Sequence, residues 1–125
     1  MRATAPHRLF LSLIALAGLL ILSGSLRAHT PSGKLHIFVI DVEGGQSTLF
    51  VTPDKHSLLI DTGWPGNDSR DADRIAAAAK QAGIAKIDTV LLTHYHVDHT
   101  GGVPQLVARI PVGTFIDHGP LRERG

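Results

Sequence analysis

The sequence predicts an α/β domain preceded by a segment built for export. Three observations carry that reading. Leu35 to Ile40 reads Leu-His-Ile-Phe-Val-Ile, the β-branched and aromatic character of a strand. Ala72 to Ala82 is rich in the strongest helix former and stands between two apolar runs. Thr89 to Thr93 then feeds a polar loop, and irregular backbone beyond the C-terminal end of a strand is where α/β folds place ligands.

At 125 residues the chain has room for one domain of ordinary size. It is 43% hydrophobic and 18% charged, with a formal net charge of +1, the balance of a globular protein. Its basic residues are scattered, which argues against a dedicated nucleic-acid surface, where Lys and Arg gather on one face. Cysteine is absent, so neither a disulfide framework nor a thiolate metal site is available. Any metal must be held by histidine and carboxylate. The chain has 8 histidines, and three of them fall in the segment Thr93 to His99.

Residues 1–28 read as a signal peptide. Arg2, His7 and Arg8 form a basic start, and Leu9 to Leu22 is apolar except for Ser12 and Gly18. That run is shorter than the roughly 20 residues a membrane-spanning helix needs. Cleavage after Ser25 would place small residues, Ser23 and Ser25, at both recognition positions; Ala28 is the alternative site. The expectation is an exported protein, periplasmic or secreted, with no stable membrane span once the segment is removed.

From Lys34 onward the elements follow in order. The strand Leu35 to Ile40 ends at Asp41, before a tight hairpin at Gly44-Gly45. Ser47 to Val51 is the second strand, Pro53-Asp54-Lys55 a turn, and His56 to Ile60 the returning strand, ending at Asp61-Thr62-Gly63. Trp64 to Asp68 is a loop containing Pro65 and Gly66. Asp68 or Ser69 can cap the helix whose body is Ala72 to Ala82, and Gly83 stands where a left-handed cap would end it. After the strand Thr89 to Thr93 and the histidine loop, Gly101-Gly102 close the loop. Val103 to Ile110 can form a short helix with Pro104 in its first turn, and Val112 to Ile116 a last strand.

The histidine loop is His94-x-His96-x-Asp98-His99. In extended backbone alternate side chains share a face, so His94, His96 and Asp98 would project one way and His99 elsewhere. Two imidazoles about 6–7 Å apart along a strand can converge on one ion. Asp98 and His99 could then serve a neighbouring one. Imidazole and carboxylate without thiolate suit zinc, with iron or manganese as alternatives. A lone histidine is usually an ordinary packed or exposed residue, which is the reading for His36 and His56 on their strands. Three histidines and an aspartate in six positions have little structural purpose otherwise. Asp61, read by itself, is a strand-end residue that satisfies loop amides. His118, after the last strand, is a residue that could approach the site.

The motif His94-x-His96-x-Asp98-His99, with an apolar strand before it and Gly101-Gly102 after it, resembles the metal-binding motif of the metallo-β-lactamase superfamily. Leu59-Ile60-Asp61-Thr62-Gly63 resembles an earlier strand end of the same family. Asp41 to Ser47 is similar to the opening of the branch that includes the hydrolase domains of DNA-uptake competence proteins, with Glu43 as an extra residue. The resemblance covers Lys34 to Pro120. It implies an αββα sandwich of which residues 34–125 form the N-terminal half. It also implies one or two zinc ions, His94 and His96 on the first and Asp98 and His99 on the second, with Asp61 organising the loop from beneath. The expected activity is hydrolysis of an ester, lactam, thioester or phosphodiester by metal-activated water that Asp98 orients. A small molecule or a nucleic acid could be the substrate. The later ligands of the family have no counterpart here, so little or no turnover is expected from this chain alone. The alternative is a non-catalytic metal-binding or interaction module. Half a sandwich also leaves an apolar sheet face open, which a second copy of the chain could cover.

Overall fold

The computed structural model describes residues 33–120. The signal peptide read at residues 1–28 lies outside them. Five strands, β1 (His36–Val39), β2 (Thr48–Val51), β3 (Ser57–Ile60), β4 (Ile87–Leu91) and β5 (Val112–Ile116), form one sheet in sequence order. The first three pair antiparallel, and β4 and β5 add in parallel. Parallel neighbours require a crossover. The helix α1 (Arg70–Ala82) supplies the one between β3 and β4, and the short helices α2 (Val97–Thr100) and α3 (Val103–Val107) lie on the one between β4 and β5.

The core sits between α1 and one face of the sheet. Leu49 on β2, Leu59 on β3 and Val90 on β4 lie in register on that face and are fully buried. Ala72, Ile75, Ala79 and Ala82 recur at helical spacing on α1 and are buried with them, joined by Leu106 of α3. Burying each of the larger side chains contributes roughly 1.5–3 kcal/mol. The opposite face contains Ile37, Val39, Phe50, Leu58, Ile60, Leu91 and Ile116, and none of them is buried. Val39 is 82% exposed, Ile37 54% and Ile116 47%. The chain therefore has the mixed α/β architecture and the open apolar face expected of part of a sandwich.

The elements differ from the expected ones where local chemistry decides. Strand β4 begins at Ile87 and ends at Leu91, so Thr93 belongs to the loop rather than to the strand. Ser69 does precede α1, but its hydroxyl makes no cap bond. A side-chain cap requires extended backbone, and Ser69 is left-handed at φ 66° after two further positive-φ residues, Asn67 and Asp68. Gly83 closes α1 in the left-handed region, its N–H reaching the carbonyls of Ala79 and Lys80. His56 precedes β3 rather than lying on it; Thr52 N–H donates to its carbonyl and closes the turn. The last helix stops at Val107, short of Ile110, because Pro111 disfavours helical backbone before it. No helix among the described residues is long and apolar enough to cross a membrane.

Candidate metal centre

The histidine loop leaves β4 as extended backbone and turns into α2 at Val97, with His96 as the residue before the helix. That turn overrides strict alternation. His99 does not point elsewhere: its ring lies 3.9 Å from that of His94, centroid to centroid, and the His94 and His96 rings lie 4.5 Å apart. Asp98 reaches the same cluster, its Oδ2 standing 3.5 Å from His99 Nε2. The four residues singled out by the motif are therefore neighbours. The rings pack against one another rather than fan out around a point. Among the described residues no group of three or more such donors is arranged to enclose an ion.

Beneath the cluster is Asp61, fully buried at the end of β3 and held in the left-handed region at φ 58°, which Asp tolerates better than most residues. Its Oδ1 accepts the Thr93 N–H at 2.9 Å. Its Oδ2 accepts the Thr93 hydroxyl at 2.7 Å and faces His99 Nδ1 at 2.8 Å. A carboxylate oxygen accepts, so His99 Nδ1 donates, the tautomer that in a neutral ring leaves Nε2 for a metal. The Thr93 hydroxyl has one proton, and it goes to Asp61. Toward His94 Nδ1, 3.1 Å away, the hydroxyl then serves as acceptor, which favours the tautomer with the proton on Nδ1 and Nε2 open to a metal. One carboxylate and one hydroxyl thus set the tautomers of two imidazoles, the role of the outer shell at metal-ligating histidines.

Asp61 is thus the strand-end residue that satisfies a loop amide, and it lies beneath the loop as the family resemblance implies. Thr93 was missed, because it was placed in the strand. Its signal was its position, directly before His94 and facing a buried carboxylate.

Two further segments fix the loop. Thr62 donates its N–H at 2.7 Å and its hydroxyl at 3.0 Å to the His99 carbonyl. Gln46 N–H donates to the Asp98 carbonyl at 3.2 Å. Gly45 lies so close beneath that carbonyl that a Cβ there would be 2.3 Å from the oxygen. The expected tight hairpin at Gly44-Gly45 is instead a longer loop that brings its backbone against the metal loop. Gly102 meets Thr62 in the same way, with 2.1 Å left for a Cβ.

His118 comes only as far as Tyr95, the rings lying 4.6 Å apart, while the Tyr95 hydroxyl donates to the Gly119 carbonyl at 3.0 Å. Burial, and then Asp117, push the Tyr95 phenol above its ordinary value. His36 stacks on Phe38 and His56 faces Asp88, both away from the loop.

The donor set, three imidazoles and one carboxylate with no thiolate, fits zinc by its chemistry. In two of the imidazoles the polar contact lies at Nδ1, which favours Nε2 as the coordinating atom. Residues 41–124 match the family described as the metallo-beta-lactamase superfamily. A hydroxyacylglutathione hydrolase of Albidiferax ferrireducens is 38% identical over 73 residues, which cover 58% of this chain and 24% of that protein. An atrochrysone carboxyl ACP thioesterase of Claviceps purpurea is 39% identical over 67 residues, or 54% of this chain and 21% of the relative. A metallo-β-lactamase structure from Cronobacter sakazakii superposes with a TM-score of 0.47 and 26% identity, over 59% of this chain and 26% of the other. The match thus spans about a quarter of the length of these relatives. With the family matched from Asp41 through the histidine loop and β5, the chain belongs to the metallo-β-lactamase superfamily.

Proposed function

We propose that this chain carries the metal-binding loop of an exported, zinc-dependent hydrolase that cleaves an acyl thioester or a related ester. The observation that carries the proposal is the pair of contacts at Nδ1, Asp61 Oδ2 on His99 and the Thr93 hydroxyl on His94, which turn both Nε2 atoms to coordination beside His96 and Asp98. Bound there, zinc would lower the pKa of a coordinated water toward neutrality and stabilise charge on the attacked oxygen. The chain's own residues supply the rest. His94, His96 and His99 would hold the ion, with iron or manganese as substitutes. Asp98, half-buried at the head of α2, would orient the attacking water by accepting its hydrogen bond. Thioesters are favoured because the two relatives above are named for hydrolysing a hydroxyacylglutathione and for an ACP thioesterase. Export is inferred from residues 2–28 of the sequence.

The crowded rings favour a second reading, a metal-binding module without catalysis. Thiol release from an acyl thioester at high protein concentration separates the two. It is measured with zinc, with chelator, and in Asp98→Asn, beside ester, lactam and phosphodiester substrates. The hydrolase reading predicts zinc-dependent thiol release, slow because among the described residues the loop alone clusters such ligands. It should fall about a hundredfold or more in Asp98→Asn. Zinc uptake with no cleavage of any class favours the module, and chelator-insensitive cleavage contradicts the zinc mechanism.

A further inference from the structure

Resting on the reading of the loop as a zinc site, we propose that Arg70 and Asp71 at the start of α1 are positioning residues for it. They do not touch the histidines. They hold the two segments that do. Asp71 is a fully buried carboxylate whose oxygens serve different masters: Oδ1 accepts Arg70 Nε–H at 2.7 Å, and Oδ2 accepts the Trp64 N–H at 2.8 Å. The fit at Gly63 is close enough that a Cβ there would come within 2.6 Å of Asp71 Oδ2. Asp71 thereby fixes residues 63–64 directly after Thr62, which donates twice to the His99 carbonyl.

Arg70 continues the path to the other segment. Its Nη1 pairs with Glu43 Oε2 at 2.7 Å, and its Nη2 donates to the Val42 carbonyl at 3.4 Å. Arg74, one turn along α1, pairs with Asp41 at 3.4 Å and Glu43 at 3.5 Å and donates to the Asp41 carbonyl. These contacts hold residues 41–43, where Glu43 itself stands at φ 54° and the Asp41 and Glu43 side chains are exposed on either side of the buried Val42. Beyond them come Gly45, pressed beneath the Asp98 carbonyl, and Gln46, which donates to it. The two segments are also tied together, Gly63 N–H donating to the Gln46 carbonyl at 3.0 Å. An ion pair anchored on a buried carboxylate therefore grips the metal loop at two successive carbonyls, those of Asp98 and His99.

A surface ion pair is worth little. Asp71 differs because losing either partner leaves a buried acceptor unsatisfied. Asp71→Asn keeps the shape of the side chain, but its amide can accept from only one of the two donors. The test uses the full chain and two readouts, amide hydrogen exchange without metal and zinc affinity by chelator competition. The cobalt absorption spectrum serves as a check on ligand geometry. Asp71→Asn is expected to speed exchange at the Gln46 and Thr62 amides tenfold or more while the interior of α1 is unchanged. Zinc affinity is expected to fall ten- to a hundredfold, the range for outer-shell partners, with a changed cobalt spectrum. Glu43→Gln, at an exposed side chain, is expected to shift the same readouts by severalfold and decides the matter if Asp71→Asn unfolds. Unchanged exchange, or faster exchange with unchanged zinc affinity and spectrum, overturns the positioning role and leaves the zinc reading standing. A wild-type chain that takes up no zinc overturns the zinc reading and the positioning role with it.

Discussion

Replacing Asp61 with asparagine keeps the size of the side chain and puts an NH2 where one acceptor was. The Thr93 hydroxyl and His99 Nδ1 both meet Asp61 Oδ2, and the amide nitrogen can accept from neither. His99 would then lose the partner that fixes its tautomer. Asp61→Asn is expected to weaken zinc binding about 10–100-fold by chelator competition. Thr93→Val should act in the same direction through His94, and Thr93→Ser should restore wild-type affinity. Zinc affinities within twofold of wild type in all three would show that the tautomer argument has no bearing on the site. At this scale the sequence was informative about types and spacing. His94, His96, Asp98 and His99 were all legible, because no packing role calls for that cluster. The direction of His99 was not, since alternation assumed strand where α2 begins. Nor were Arg70 and Asp71, ordinary helix-start residues in sequence whose partners lie far along the chain.

Among the elements, the junction of β3 and β4 has its own electrostatic lock. Asp88 Oδ2 accepts the Ser57 N–H at 3.0 Å, and the Ser57 hydroxyl accepts the Asp88 N–H at 2.9 Å, across two strands with no turn between them. A hydrogen bond from Lys86 foremost, and then the Ser57 amide, hold the Asp88 carboxyl below its ordinary value. A carboxylate whose folded value is lowered stabilises the fold above its unfolded value, about 3.9, and loses that contribution as pH falls through the folded value. Asp88→Asn is therefore expected to destabilise the chain by about 1 kcal/mol at neutral pH. The gap from wild type should close below about pH 4. Urea unfolding of both proteins between pH 2.5 and pH 8 checks this, and a gap independent of pH would remove the carboxylate from the explanation. The strands and α1 were legible because their residues are β-branched or alanine-rich. Their ends were decided by backbone sign at Ser69 and by Pro111, which composition conveys only in part.

For the whole molecule the decisive feature is the sheet face opposite α1. Its apolar side chains run across all five strands, from Ile37 through Phe50, Leu58 and Leu91 to Ile116, without a buried residue among them. Faces of this kind mark interaction surfaces or aggregation sites. The 125-residue chain is expected to self-associate, with a thermal midpoint that rises with protein concentration. Phe50→Lys should shift the sedimentation profile toward monomer. A monomer with a sharp, concentration-independent transition would contradict the expectation. The sequence foretold this face through the family resemblance, which implied a sandwich of two layers, more than through any single strand.

Thr93 to His99 is expected above all to bind metal. Elemental analysis of the dialysed chain, beside a His94→Ala, His96→Ala variant, tests it most directly. About one zinc or more is expected per wild-type chain and none in the variant, as loss of two imidazoles leaves too few ligands for a site. A wild-type chain without metal, or a variant that retains as much as wild type, would contradict it.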